Sequence, residues 1–411
     1  MRRRATLLIA ALAAALAPSA AHADGALVET LARQMRQAGS GSSAVVLNLT
    51  TGERTFRWRQ NVPRILASNT KLFTTSAALA RFGLDGTLTT EVLGRGTLDD
   101  AGVWRGDLYL RGGGDPTFGS RSFATRAYGA GATVEDLAET IELAGIERVS
   151  GRVIGDESRF DSLRGGPESG YATSVWVGPL SALSYNRGLG DEHGRSFQVN
   201  PPLFAAARLD GALESRAVPV RRAPAAGVAP AGVLPLASVE SPPMERIIRI
   251  TNKPSDNFFA EMLAKGLAGP ASGRGSTRAG ASAAAAFAGG LGAPARLVDG
   301  SGLSRGNRAS PVRVVRLLAA MSRREEGEAF AASLPVAGRD GTLSDRMRRG
   351  PARGRCRAKT GTLSNVSALS GYCDARSGDT YAFSILMNRV YPPGARRLQD
   401  AMAQAIAGAV R

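Results

Sequence analysis

Three segments near the C-terminus, CRAKTGTL (356–363), VSALSGYC (366–373) and TYAFSILMN (380–388), read as strands in close succession. The first two read as a strand pair, and a helix follows from about Ala395. The N-terminal part holds the complementary pieces. Asp24 to Ala38 places Leu27, Leu31, Ala32 and Met35 at helical spacing, SSAVVLNLTTG (42–52) reads as a strand closing in a turn, and TFRWR (55–59) reads as the strand that returns. The stretch from Ile65 to Phe82 has few breakers and ends in Gly83, as a buried helix does. Helical stretches at 240–252 and 255–269, and a small-residue helix in SAAAAFAGGLG, precede the C-terminal strands. Strands and helices at both ends predict one α/β domain assembled from the two chain ends.

The stretch between them has another texture. LTTEVLGRGTLDDAGVWRGDLYLRGGGDPTF (88–118) alternates apolar and polar residues between glycine turns, and GRVIGDES and RSFQVNPP continue the pattern. One helix, TVEDLAETIELAGI (133–146), interrupts it behind a threonine cap. A loose connection rich in arginine, proline and alanine runs from Pro219 to Pro235. The predicted organisation is therefore a signal peptide at 1–23, a main domain from 24–87 plus 239–411, and a β-rich insertion at 88–238. A chain of 411 residues is long enough to bury a large core and carry a second domain.

The N-terminal MRRR, the apolar ATLLIAALAAALA and the small residues of AHA (21–23) predict a cleaved secretory signal and export to the periplasm, with the mature chain beginning at Asp24. Formal net charge is +17, which favours anionic partners. Export argues against nucleic acid and for cell-wall polymers or an anionic envelope surface. Only two histidines occur, and His22 lies in the signal. A Ser-His-Asp hydrolase would have to use His193, read here as a loop residue, and a multi-histidine zinc site cannot be built. Cys356 and Cys373 are spaced symmetrically about Ser364-Asn365. A hairpin there would bring the thiols face to face across adjacent strands; otherwise they are two small buried residues.

Lysine appears at four positions, Lys71, Lys253, Lys265 and Lys359, in a chain whose lysines and arginines total 52. In the segment ILASNTKLFTT (65–75), Ser68 and Lys71 stand at i and i+3, one face of the predicted helix. A serine hydroxyl needs a base to become a nucleophile. Arginine cannot lose its proton, whereas a desolvated lysine can. Ser-x-x-Lys alone carries little weight. Ser255-Asp256-Asn257 could be a helix cap, and Lys359-Thr360-Gly361 could be an ordinary edge strand. Together, in this order and behind a signal peptide, the three form the pattern of active-site serine penicillin-binding proteins and serine β-lactamases.

The segments ASNTKLFTT, GGGDPTF, SDNFFAEML, VDGSGLSRGNRASP, LPVAGRDGTLSDRM and RAKTGTLSNVSALSGY make the resemblance specific. The chain resembles the D-alanyl-D-alanine carboxypeptidase/endopeptidase family, the class C low-molecular-mass penicillin-binding proteins. This implies a transpeptidase-like domain, an antiparallel sheet with helices on both faces, and a serine-type hydrolase acting on peptidoglycan stem peptides. It implies that β-lactams act as covalent inhibitors and that no metal or organic cofactor takes part. By the same resemblance Ser68 is the nucleophile, Lys71 the general base and Ser255 the proton relay. Asn257 holds the substrate amide and fixes Lys71. Lys359 and Thr360 bind the terminal carboxylate, Gly361 lets the substrate backbone lie close, and the N–H groups of Ser68 and Thr362 form the oxyanion hole. Asp115 has two readings, a turn residue or an anionic contact for a free amino group of the stem peptide. Arg305 and Arg339 lie in matching segments, with no role assigned. A β-lactamase or esterase on the same scaffold, or a non-catalytic peptidoglycan-binding protein, is the alternative.

Overall fold

The computed structural model describes residues 20–191, 194–268 and 273–410. Most of the predicted signal and His193 lie outside the described residues. The chain ends meet in one five-stranded antiparallel sheet, in the order Cys356–Leu363, Val366–Asp374, Thr380–Asn388, Ser42–Asn48, Phe56–Trp58. The first N-terminal strand pairs directly with the last C-terminal one, Ser42 opposite Met387 through to Asn48 opposite Tyr381. No hairpin could make that pairing; the sheet is closed by residues more than 300 positions apart.

Period-two alternation gives the three central strands two buried faces. Val45, Ala368, Tyr372, Ala382 and Leu386 point to one side, where they meet helices Thr70–Phe82, Met244–Asn252, Asn257–Leu267 and Pro311–Met321. Ala44, Val46, Leu369, Phe383, Ile385 and Met387 point to the other. There Leu27, Leu31 and Met35 of helix Ala20–Gln37 and Met402, Ala403 and Ile406 of helix Pro392–Gly408 cover them. Helices on both faces explain why Val366–Asp374 and Thr380–Asn388 are buried along nearly their whole length. Cys356 and Cys373 are direct register partners and form a disulfide.

The insertion has its own core, with Val92, Trp104, Leu108, Leu137, Ile141, Leu209 and Leu213 at its centre. Thr89–Leu98 and Val103–Arg111 form an antiparallel hairpin, and Leu234–Glu240 returns beside the first, running past the expected boundary near Ser238. Val153–Asp156 and then Ala225–Ala226 add in parallel. Parallel neighbours need crossovers, and helices supply them: Val134–Leu143 before Val153, and Pro201–Glu214 before Ala225. The second helix corrects the reading of RSFQVNPP as strand. Its two prolines occupy the first turn, where no N–H is needed, and Asn200 caps it by accepting from the Leu203 amide. The positive charge is not in this insertion: between 88 and 238 carboxylates outnumber arginines, and no lysine occurs.

Candidate active site

The expected helix from Ile65 to Phe82 is three pieces. Arg64–Ile65 pairs with Arg308–Ala309, a single 3-10 turn covers Ala67–Asn69, and the α-helix proper is Thr70–Phe82. Ser68 therefore sits in the tight turn at the helix mouth and Lys71 in the first helical turn. Ala67 adopts φ +47°, a left-handed conformation that costs an L-residue about 1 kcal/mol. Two glycines make room for it. A Cβ on Gly302 would sit 1.9 Å from the Ala67 carbonyl oxygen, and one on Gly361 would sit 3.1 Å from both Ala67 Cβ and Ser68 N. Asn69 fastens the turn from the other side by donating to the Lys359 carbonyl at 2.9 Å.

Lys71 is fully buried. Its Nζ donates to Asn257 Oδ1 and to the Ser301 carbonyl, both at 2.7 Å, and stands 3.3 Å from Ser68 Oγ. Burial pulls its pKa from the usual 10.5 to about 8, against the attraction of Asp256, Glu261 and Asp299. Glu261 and Asp299 act here through the backbone. Glu261 accepts from the Gly300 and Ser301 amides, Asp299 from those of Gly302 and Ser304, and together they fix the loop whose Ser301 carbonyl receives Lys71.

In the SDN segment the three residues do different things. Ser255 lines the cleft in a left-handed conformation, φ +66°. Asp256 is the helix cap, accepting from the Phe259 amide at 2.9 Å, and it also pairs with Arg187 of the insertion at 2.6 Å. Asn257 turns its Oδ1 to Lys71 and donates from Nδ2 to the Trp176 carbonyl at 3.1 Å. The insertion thus sets which way the Asn257 amide faces.

The KTG segment lies on the edge strand of the five-stranded sheet, so one side of its backbone faces the cleft. Lys359 is buried, its Nζ donating to the Thr360 carbonyl at 3.1 Å. Burial and the neighbouring Lys71 charge hold its pKa well below the usual lysine value. Thr360 Oγ1 shares a 2.7 Å hydrogen bond with Thr342 Oγ1, and Thr362 Oγ1 accepts from Arg396 at 3.2 Å. Gly361 packs against the Ser68 turn, leaving little room there for a side chain.

These elements enclose a cleft of about 1010 Å3. Ser68, Ser255, Asn257, Thr360 and Thr362 line it, whereas Lys71, Lys359 and Gly361 lie just behind its wall. Asp115 is not brought there. It is fully buried, accepting from the Thr117 amide and hydroxyl at 2.7 Å each, and burial pushes its pKa up to about 7. Residues to which the sequence assigned no role complete the lining, among them Glu168 and Trp176 from the insertion, Thr342 and Arg346 from the LPVAGRDGTLSDRM segment, and Arg396 from the C-terminal helix. Arg305 donates to Ser364 and Asn365, holding the turn of the KTG hairpin beside the cleft.

Comparison with known proteins bears on the family and the fold. The family model described as the D-Ala-D-Ala carboxypeptidase 3 (S13) family matches residues 25–193 and 187–408. A D-alanyl-D-alanine carboxypeptidase of Actinomadura sp. (strain R39) is 30% identical over 90% of this chain and 81% of its own. Carboxypeptidase DacB of Mycolicibacterium smegmatis is 30% identical over 86% of this chain and 77% of its own. Among solved structures, penicillin binding protein 4 of Haemophilus influenzae superposes with a TM-score of 0.76, covering 90% of this chain and 97% of that one at 20% identity.

Proposed function

The chain belongs to the D-Ala-D-Ala carboxypeptidase 3 (S13) family, and from that premise we propose that Ser68 carries the acyl group while Lys71 takes its proton. The activity is that of a serine-type D-Ala-D-Ala carboxypeptidase, a penicillin-binding hydrolase of peptidoglycan. One observation carries the assignment of roles. A neutral amine has two N–H donors and one lone pair, and Lys71 has two acceptors at 2.7 Å. With Asn257 Oδ1 and the Ser301 carbonyl holding both donors, the lone pair is left for Ser68 Oγ at 3.3 Å.

In the proposed sequence Lys71 removes the Ser68 proton as Oγ attacks the carbonyl of the penultimate D-alanine. The oxyanion is received by the backbone N–H groups of Ser68 and Thr362. Support comes from the close packing of the Ser68 turn on the KTG strand at Gly361. The leaving amine takes its proton through Ser255, whose hydroxyl can accept and donate at once. The C–N bond breaks, D-alanine departs, and water hydrolyses the ester. Asn257 holds Lys71 and the substrate amide, and Thr360 and Thr362 hold the carboxylate end. A β-lactam follows the first half of this path and stops at the ester. Export to the periplasm and contact with an anionic envelope surface belong to the same reading; among the described residues no helix is long and apolar enough to cross a membrane.

The direct assay is release of D-alanine from an N-acylated D-Ala-D-Ala peptide by the purified protein, with and without benzylpenicillin, beside a Ser68→Ala variant. Release that penicillin blocks and the variant lacks is the expected result. Release that survives in Ser68→Ala would remove Ser68 from its role.

A further inference from the structure

A carboxypeptidase must tell a free terminal carboxylate from a chain that continues, and Lys359, the cation expected to do so, does not face the cleft. Its ammonium is buried against the Thr360 carbonyl. Two cations do line the cleft, Arg346 and Arg396. Arg346 is committed: its Nε and Nη2 hold Asp400 Oδ1 at 2.9 and 2.7 Å, and Nη2 also reaches Gln399 and the Arg396 carbonyl. Arg396 is exposed and, among the described residues, forms no ion pair. Its Nη2 donates to Thr362 Oγ1 at 3.2 Å.

That hydrogen bond has a direction with consequences. Because Thr362 Oγ1 is the acceptor, its own proton is free to point into the cleft. The guanidinium keeps further N–H donors in a planar fork suited to a carboxylate. The Thr342–Thr360 hydroxyl pair works alike, since one hydroxyl donates to the other and the second proton stays available. A full positive charge and two hydroxyl donors therefore meet along the edge strand, with no carboxylate paired to the arginine. The geometry points to Arg396 as the residue that reads the terminal carboxylate of the leaving D-alanine, a specificity-determining contact for this reaction. The assignment rests on the carboxypeptidase reading above.

The test compares kcat/KM for an N-acyl-D-Ala-D-Ala peptide and for its C-terminal amide, in the wild type, Arg396→Gln and Arg396→Lys. The wild type is expected to favour the free acid. Arg396→Gln is expected to lose about 10- to 100-fold on the acid, the effect of one charge-assisted contact, and about nothing on the amide. Arg396→Lys should recover part of the preference. Equal losses on acid and amide would make Arg396 a prop for Thr362 and overturn the assignment. An unchanged preference, or a wild type that cleaves acid and amide alike, would also overturn it. A wild type that cleaves neither peptide overturns the carboxypeptidase reading, and this assignment with it.

Discussion

Lys71 Nζ stands 3.3 Å from Ser68 Oγ, inside the protein, with its other two contacts fixed on oxygen acceptors. Charge alone does not explain that lysine, so Lys71→Arg separates charge from basicity. Acylation by a penicillin is expected to fall by about two to four orders of magnitude, the usual contribution of a general base, with thermal unfolding followed to confirm the fold. Wild-type acylation rates in that variant would refute the base assignment.

The pH dependence has a definite sign. Lys71 acts as a base only when neutral, and its pKa is about 8, lowered by burial. Acylation should therefore rise with pH through a limb centred near 8 and flatten above it. A limb near the ordinary lysine value of 10.5 would mean that burial does not tune this group.

Gly361→Ala should harm chemistry more than stability. The added methyl would press on the Leu66 carbonyl at 2.9 Å and on Ser68 N at 3.1 Å, displacing the nucleophile rather than opening the core. Misplacement on the order of 1 Å is worth about 100-fold. We expect at least a ten-fold loss in acylation, with the melting temperature lowered by only a few degrees.

Arg187 tests what the insertion contributes. It pairs with Asp256 at 2.6 Å and lies over the rings of Phe258 and Phe259, on the helix that presents Asn257. Arg187→Met keeps bulk and removes charge. Both partners keep some contact with water, so a loss of about 1–2 kcal/mol is expected by denaturant unfolding. A fall in acylation should accompany it. Full activity with lost stability would make the insertion a scaffold only.

The disulfide should matter to folding and not to chemistry. Cys356 and Cys373 close a loop with a sequence separation of 17, for which chain entropy suggests about 3 kcal/mol. Replacing both with alanine should lower the melting temperature and leave the acylation rate per folded molecule unchanged.

The short motifs were readable because each concentrates its chemistry in three or four adjacent residues. Lysine usage was informative for the same reason. All four lysines have specific partners, since Lys253 pairs with Asp340 and the buried Lys265 with Asp161. What the sequence concealed has physical causes. Ser301 acts through a carbonyl oxygen, and every residue has one. Trp176 and Arg396 reach the cleft from distant segments with no motif around them. The 3-10 turn at Ala67–Asn69 was hidden inside an apolar run, because the glycines that permit it, Gly302 and Gly361, lie far along the chain. The start of helix Pro201–Glu214 was masked because its two prolines end a segment that alternates like a strand.

The central claim is that Ser68 forms the ester. Incubating the intact protein with benzylpenicillin, measuring the mass of the adduct and mapping it by proteolysis tests this most directly. One penicilloyl group on the peptide containing Ser68, absent in Ser68→Ala, is the predicted result. No adduct, or an adduct on another serine, would contradict the account.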